Sequence, residues 1–313
     1  MTGDIKMKKS NSIYTNPLFV VAMALLCTAL WGSATPFIKT GYEALKVEGT
    51  PSIMLFAGVR FFFAGIITVV IYSIVERKFL FPKKENYKYV GIISVFQTIL
   101  QYIFFYVGLA NTSGVKGAIL SGSSAFFSII IASLIFRQEK LTFRKIIACV
   151  IGFAGVVLVN LNGLELNFSF LGDGFVILST LSLAFSSVFM KRFSKYENPV
   201  VLSGYQFIIG GIFMVIVGLS FGGTMSFASV SGIAILVYLS FLSAIAYAVW
   251  GILLKHNPVS KVTIFNFMTP VFGTILSKLI LTETDGVSTL NIVISVILIC
   301  VGIVTLNYQK NRS

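Results

Sequence analysis

Arg60 stands near the centre of the run MLFAGVRFFFAGIITVV, Met54 to Val70, and is its only charged residue. On insertion scales a guanidinium at mid-membrane costs about 2.5–3.5 kcal/mol, so the position needs compensation. Counting from the start of its apolar run, Arg60 lies about 13 Å deep at 1.5 Å per residue. Two readings stand side by side. Either the guanidinium faces a pathway and attracts an anionic group such as a substrate carboxylate, or it is structural. In the structural reading it snorkels toward Glu43 or Glu48, or hydrogen-bonds helix-end carbonyls.

Neutral polar residues recur at the same depth. Gln97 and Gln101 are one helical turn apart and share a face. Ser121 and Ser124, at i,i+3 spacing, make a second polar patch, and Asn266 and Thr269 repeat that spacing in a later run. Tyr102 and Tyr247 occupy matching places. Pro270 follows Thr269 directly and removes a backbone bond in mid-helix, which frees a carbonyl or supplies a flexing point. Trp31 and Pro36 are candidates to gate one mouth of a pathway. The competing account of every one of these groups is helix packing, where an interhelical hydrogen bond contributes about 0.6 kcal/mol. Amides, hydroxyls and one guanidinium recognise a ligand; they do not turn it over. No HExxH, Walker loop or GxSxG is present, and "GDG" at Gly172 to Gly174 has no phosphate-binding context. All 11 acidic residues fall in loops or at membrane edges, and the single histidine, His256, lies in a short loop. An intramembrane proton relay therefore has no obvious carrier. Cys27, Cys149 and Cys300 lie singly in apolar runs and read as small core residues. No enzyme, cofactor or metal site is expected.

The elements that must hold these residues are membrane spans. Of the 313 residues 56% are apolar and 11% charged, with mean hydropathy +0.92; soluble chains carry about 25% charge. Ten apolar runs follow one another: 18–40, 52–75, 88–109, 113–136, 143–161, 171–190, 201–220, 230–253, 259–281 and 288–307. Each approaches the length that crosses a hydrocarbon core of about 30 Å, and in lipid such runs must be helical. The first run is too long for a signal-peptide core and is read as retained.

Most of the 24 Lys and Arg residues fall in alternate loops and the two tails, among them Lys83, Lys84, Lys88, Arg144 and Lys145. The intervening loops hold only Lys39, Lys46 and Lys116. This asymmetry puts both termini, 1–17 and 308–313, in the cytoplasm of a plasma (inner) membrane protein. The basic face meets anionic lipid headgroups. Nucleic acid is not an expected partner, because the charge is spread over separate loops and forms no single face.

The chain repeats itself. "GVVLVN" (Gly155 to Asn160) returns as "GIVTLN" (Gly302 to Asn307). Arg60 and Gly65 match Gln206 and Gly211; Lys116 matches Lys261, Glu139 nearly matches Glu283, and "PFIK" at Pro36 matches "VFMK" at Val188. Two repeats, 18–161 and 171–307, each hold five runs. Five is odd, so the second enters the membrane upside down. The expected fold is an all-α integral membrane protein of ten transmembrane helices in two inverted five-helix repeats, an arrangement of alternating-access carriers with a midplane site.

With "ALWGSATPFIK" (Ala29 to Lys39), "GVRFFFAG" (Gly58 to Gly65) and "FRQEKLTFRKIIACVIGFAGVVLVN" (Phe136 to Asn160), the chain resembles EamA-type members of the drug/metabolite transporter superfamily along essentially its whole length. The most distinctive spacing is Glu139, Leu141 and Lys145 followed by Gly152 and Gly155; the second copy, "ETDGVST" at Glu283, is longer and lacks the basic residue. The resemblance implies ten helices, a central cavity, and movement of small metabolites, often amino acids and commonly outward. The resulting expectation is a carrier for a small-molecule substrate, an amino acid or related amphipathic compound, acting as monomer or homodimer. A facilitative channel and a non-transporting scaffold are the alternatives.

Overall fold

The computed structural model describes residues 13–161, 167–280 and 288–307. Residues 1–12 and 308–313 of the two tails, and Glu283, the expected partner of Glu139, lie outside those residues. Among the described residues every regular element is helical. Nine helices among the described residues are long and apolar enough to cross a membrane: α1 (Pro17–Ala44), α2 (Gly49–Val75), α3 (Lys84–Ala110), α4 (Gly114–Ile135), α6 (Phe170–Phe193), α7 (Pro199–Ser220), α8 (Val230–His256), α9 (Val259–Ile280) and α10 (Thr289–Asn307). Between α4 and α6 runs α5 (Phe143–Val159), an apolar helix of 17 residues. At about 1.5 Å per residue it is at the short limit for a span.

Helix starts follow the local sequence. Asn16 precedes Pro17, and its Oδ1 accepts from the backbone N–H of Leu18 at 2.9 Å. Asn198 precedes Pro199 and does the same for Val200 at 2.9 Å. An amide cap followed by proline at the first helical position satisfies one orphan donor and removes another. Large apolar side chains point outward along the bundle, Leu18, Ile74, Phe143 and Val230 among them. Lipid, not water, is the solvent for that surface.

Glycines set the closest helix approaches. An added Cβ on Gly58 would sit 2.9 Å from the Gly211 carbonyl oxygen, and one on Gly65 would sit 2.6 Å from that of Gly204. One on Gly218 would sit 2.7 Å from the Leu55 backbone nitrogen. As numbering rises along α2 it falls along α7, so the two run antiparallel with backbones in contact. α5 and α10 pair in the same manner: an added Cβ on Gly155 would sit 2.9 Å from the Ser295 carbonyl oxygen, and one on Gly302 would sit 2.7 Å from that of Ala148. Small residues allow dispersion contact between backbones where lipid supplies no hydrophobic drive.

Three helices are irregular near their middles. α3 holds a π-helical stretch, Ser94–Leu100, and the Phe96 carbonyl accepts from the Ser182 hydroxyl of α6 at 2.7 Å. α4 breaks at Ser123, between Gly114–Gly122 and Ser124–Ile130. α9 tightens to a 3-10 turn over Ile264–Phe267, just before Pro270. Such irregularities frequently mark functional sites.

At the basic end of the bundle, Glu139 accepts from the backbone N–H (3.1 Å) and hydroxyl (2.8 Å) of Ser260 at the start of α9. Lys145 pairs with the same carboxylate at 3.2 Å. The Glu139/Lys145 spacing in the sequence thus ties the α4–α5 loop to a helix N-terminus, where negative charge is favoured. Nearby, Glu197 accepts from Asn86 Nδ2 at 3.0 Å and from the Lys83 and Asn198 backbones, both at 2.9 Å. At the opposite end Lys116 pairs with buried Asp173 at 2.7 Å.

Candidate functional site

α2, α3 and α8 meet beside α1 in a cluster of aromatic and polar side chains. The Tyr102 and Tyr247 hydroxyls are 3.2 Å apart. The Arg60 guanidinium lies beside the Tyr102 hydroxyl, and the Gln101 amide beside that of Tyr247. The guanidinium carbon lies 4.4 Å from the centroid of the Phe61 ring. Tyr42 and Tyr106 lie beside each other and within Coulombic reach of the same charge. Trp31, at the midpoint of α1, packs on Tyr247 at 5.1 Å and on Trp250 at 4.9 Å between ring centroids. Phe207 of α7 stacks on Phe61 at 5.0 Å and meets Tyr247 edge-on at 4.8 Å.

Arg60 is 4% exposed. Among the described residues it is the buried cation, and no carboxylate pairs with it. A ring face and a phenol replace the Glu43 or Glu48 contact of the structural reading. Its Nε has no hydrogen-bond partner within the protein, and neither have Trp31 Nε1, Gln97 Oε1 and Gln101 Oε1. Buried polar atoms are ordinarily paired, and leaving one unpaired costs about 1–3 kcal/mol. Two donors and two acceptors without protein partners, on α1, α2 and α3, are what a polar ligand would satisfy.

The other sequence candidates form a second group. Asn266 Nδ2 reaches Ser124 Oγ at 3.5 Å, joining α9 to α4. Ser121 turns back to its own helix, donating to the Gly117 carbonyl at 2.7 Å. A turn at Ser123 separates it from Ser124, which starts the next helical segment. Thr269 and Pro270 are half-buried just beyond the 3-10 turn, and Pro36 is buried within α1. A cavity of about 310 Å³ lies elsewhere, at the Lys116 end, lined by Thr112, Ser113, Lys116, Asn167 and Ser169. It shares no lining residue with the Arg60 cluster.

The model of the EamA-like transporter family matches residues 18–161 and again 170–308. The chain belongs to that family. Similar proteins include a WAT1-related chloroplastic protein of Arabidopsis thaliana, 25% identical over 81% of this chain and 62% of that longer protein. An uncharacterized transporter of Archaeoglobus fulgidus is 26% identical over 84% of this chain and 90% of its own length. The uncharacterized transporter YvbV of Bacillus subtilis is 25% identical over 90% and 89%. A solved crystal structure superposes with a TM-score of 0.75 over 91% of this chain and 97% of its own, at 15% identity, and so shares the fold. This EamA-like chain is a multi-pass membrane protein of a transporter family.

Several members of the EamA-like chain's cluster carry no sequence signal of their own. Tyr42, Tyr106, Phe61, Phe207 and Trp250 look like ordinary aromatic residues of apolar runs. The Gln206 side-chain Oε1 accepts from the Thr98 hydroxyl at 2.5 Å, between α7 and the π-helical stretch of α3. Arg60 pointed to the neighbourhood, since a buried guanidinium collects acceptors and ring faces around it.

Proposed function

We propose that this EamA-like protein is a carrier that moves a small amphipathic metabolite, an amino acid or related compound, out of the cell by alternating access. In this reading α1–α5 and α6–α10 are two inverted five-helix repeats crossing the plasma membrane, with both termini in the cytoplasm. The observation that carries it is the Tyr102–Tyr247 hydrogen bond, 3.2 Å between residues 145 apart in sequence. Those two tyrosines occupy equivalent places in the two repeats, and equivalent residues touch only on a two-fold axis. The glycine contacts support the same axis. Gly58 matches Gly204 and Gly65 matches Gly211, so the contacts Gly58–Gly211 and Gly65–Gly204 exchange under it. Gly155–Ser295 and Gly302–Ala148 exchange likewise. Two inverted halves meeting at a polar, aromatic centre are the architecture that rocks around a midplane site. Export follows from family resemblance, and the cytoplasmic orientation from the basic loops, which also favour anionic headgroups.

Purified protein in liposomes loaded with labelled leucine tests the reading. Saturable efflux with counterflow is the expected result. Non-saturating flux indicates a channel, and no flux across a broad amino-acid panel indicates a scaffold. Gln101→Ala and Asn266→Ala should change apparent affinity more than protein yield; a change in yield alone refutes the site.

A further inference from the structure

We infer that the ends of α3 and α4 that meet at Lys116 form a hinged gate, and that the Lys116–Asp173 ion pair is the latch that holds it shut against α6. This rests on the carrier reading above and adds the switch at one of its two mouths.

The latch joins the two halves of the chain. Lys116, at the start of α4, pairs with Asp173, in the first turn of α6, at 2.7 Å, and the two side chains are 11% and 3% exposed. An ammonium has three donors, and three acceptors surround this one: Asp173 Oδ2, the Asn167 carbonyl and, at 3.2 Å, Asn167 Oδ1. Asp173 is held in turn. The Thr112 hydroxyl donates to its Oδ1 at 2.5 Å, and the Ser169 backbone N–H to its Oδ2 at 2.9 Å. Thr112 and Lys116 flank the α3–α4 turn, while Asn167, Ser169 and Asp173 lead into α6. The repeat copy lacks the pair. Lys261 matches Lys116 at the start of α9, but α1, the counterpart of α6, has no acidic residue in its first turn. The latch is therefore one-sided.

The unit that the latch holds has natural hinges. α3 leaves its π-helical stretch at Leu100 and continues as Gln101–Ala110; α4 runs from Gly114 to Gly122 and turns at Ser123. Two interruptions thus bracket one hairpin, 101–122, and helices bend where their backbone ladder is interrupted. The hairpin rests on α6 backbone to backbone: an added Cβ on Gly108 would sit 2.9 Å from the Gly172 carbonyl oxygen. Stripping a buried ion of its partner is costly in an apolar medium. Here Lys116, Thr112 and Ser113 line the cavity of about 310 Å³, so a freed ammonium moves into space walled by hydroxyls and amides. The hairpin carries Tyr102. Opening draws that hydroxyl from Tyr247, 3.2 Å away, and uncovers Trp31, whose ring centroid lies 5.1 Å from that of Tyr247.

The chain supplies its own reporter. Its 2 tryptophans are Trp31 and Trp250, in contact with each other at this centre. The test uses the full chain in liposomes, with Cys27, Cys149 and Cys300 replaced by alanine and Lys116→Cys and Asp173→Cys introduced together. Without a bridge the gate is free. Acrylamide quenching of tryptophan should then rise at least about 2-fold over the parent, since loss of a buried pair shifts a two-state balance roughly 10-fold or more. A short bis-methanethiosulfonate bridge between the two thiols should return quenching to the parent's level and stop leucine counterflow, and reduction should reverse both. Lys116→Gln and Lys116→Arg carry the test without new thiols: the first should raise quenching, and the second, which keeps the charge, should not. A merely structural pair would lower thermal stability and move neither quenching nor flux. The inference is overturned by equal quenching in parent, unbridged and bridged protein, or by Lys116→Gln and Lys116→Arg behaving alike. Saturable counterflow that continues through the bridge refutes the latch alone. Quenching that follows the bridge, with no flux across a broad amino-acid panel, refutes the carrier reading and leaves the latch intact.

Discussion

Gly211→Ala is the sharpest probe of the α2–α7 contact. The added Cβ would sit 2.5 Å from the Phe62 backbone nitrogen and 2.8 Å from the Gly58 carbonyl oxygen, where ordinary contact begins at 3.4 Å. About 0.9 Å must be found, and both obstructing atoms are backbone, so no rotamer change supplies it. The helices must part. Parting them also loosens Gly65 against Gly204 and Gly218 against Leu55, which share the interface. Overpacking of this kind costs about 1–3 kcal/mol, and a rigid interface puts it near the upper end. Alanine's better helix propensity returns up to about 1 kcal/mol. The net expectation is a loss of about 2 kcal/mol. Gly91→Ala in α3 is the matched control, since nothing lies within 4 Å of its added Cβ; it should gain up to about 1 kcal/mol by propensity alone. The two single-methyl variants should therefore differ by about 3 kcal/mol with opposite signs. Unfolding in mixed micelles, followed by tryptophan emission, measures both against the parent. If Gly211→Ala is as stable as Gly91→Ala, the backbones do not touch and the packing argument falls.

Three further substitutions address the basic end. Glu197 lies between spans; burial raises its pKa, but the bonds from Asn86 and from the Lys83 and Asn198 backbones outweigh this and hold it below 4.5. A depressed folded pKa means stability that is present above the unfolded value and lost as pH falls through the folded one. Glu197→Gln should accordingly be less stable than the parent at pH 7, with the gap closing below about pH 4; a gap constant with pH would refute it. Glu139→Ala should destabilise by about 2 kcal/mol by stripping the α9 N-terminus of its charged acceptor. Lys145→Ala, which removes only the ion pair, should cost less than about 1 kcal/mol, and the reverse order would show that the pair, not the cap, holds the loop.

What the sequence made legible, and what it hid, follows from the range of each interaction. Arg60 was conspicuous because charge in an apolar run is rare. Its partners were not, because a search for compensation looks for carboxylates such as Glu43 and Glu48. The guanidinium instead rests on the adjacent Phe61 ring and a phenol on α3, and neither leaves a charge signature. Gly117/Ser121 and Ala118/Gly122 place small residues four apart on α4, a spacing that favours close helix contact. There Gly117 and Gly122 meet the side chains of Leu109 and Val156. The backbone contacts belong to Gly58 and Gly65 on α2 and to Gly204, Gly211 and Gly218 on α7. Those glycines recur every seven residues, two turns apart, a period that keeps one face toward a neighbour crossing at a shallow angle. The pairing of Ser121 with Ser124 assumed an unbroken helix. Ser123 breaks it by bonding its hydroxyl to the Leu120 carbonyl at 2.5 Å, the local competition that makes serine a poor helix interior. Pro270 did announce the irregularity in α9, since a missing N–H is written in the residue type. The π-helical stretch around Gln97 had no such mark. There Ser182, on another helix, takes up the Phe96 carbonyl. Residue type reveals what a side chain needs; which neighbour meets that need is decided by packing between segments far apart in the chain, and in this centre the deciding neighbours are phenols and ring faces.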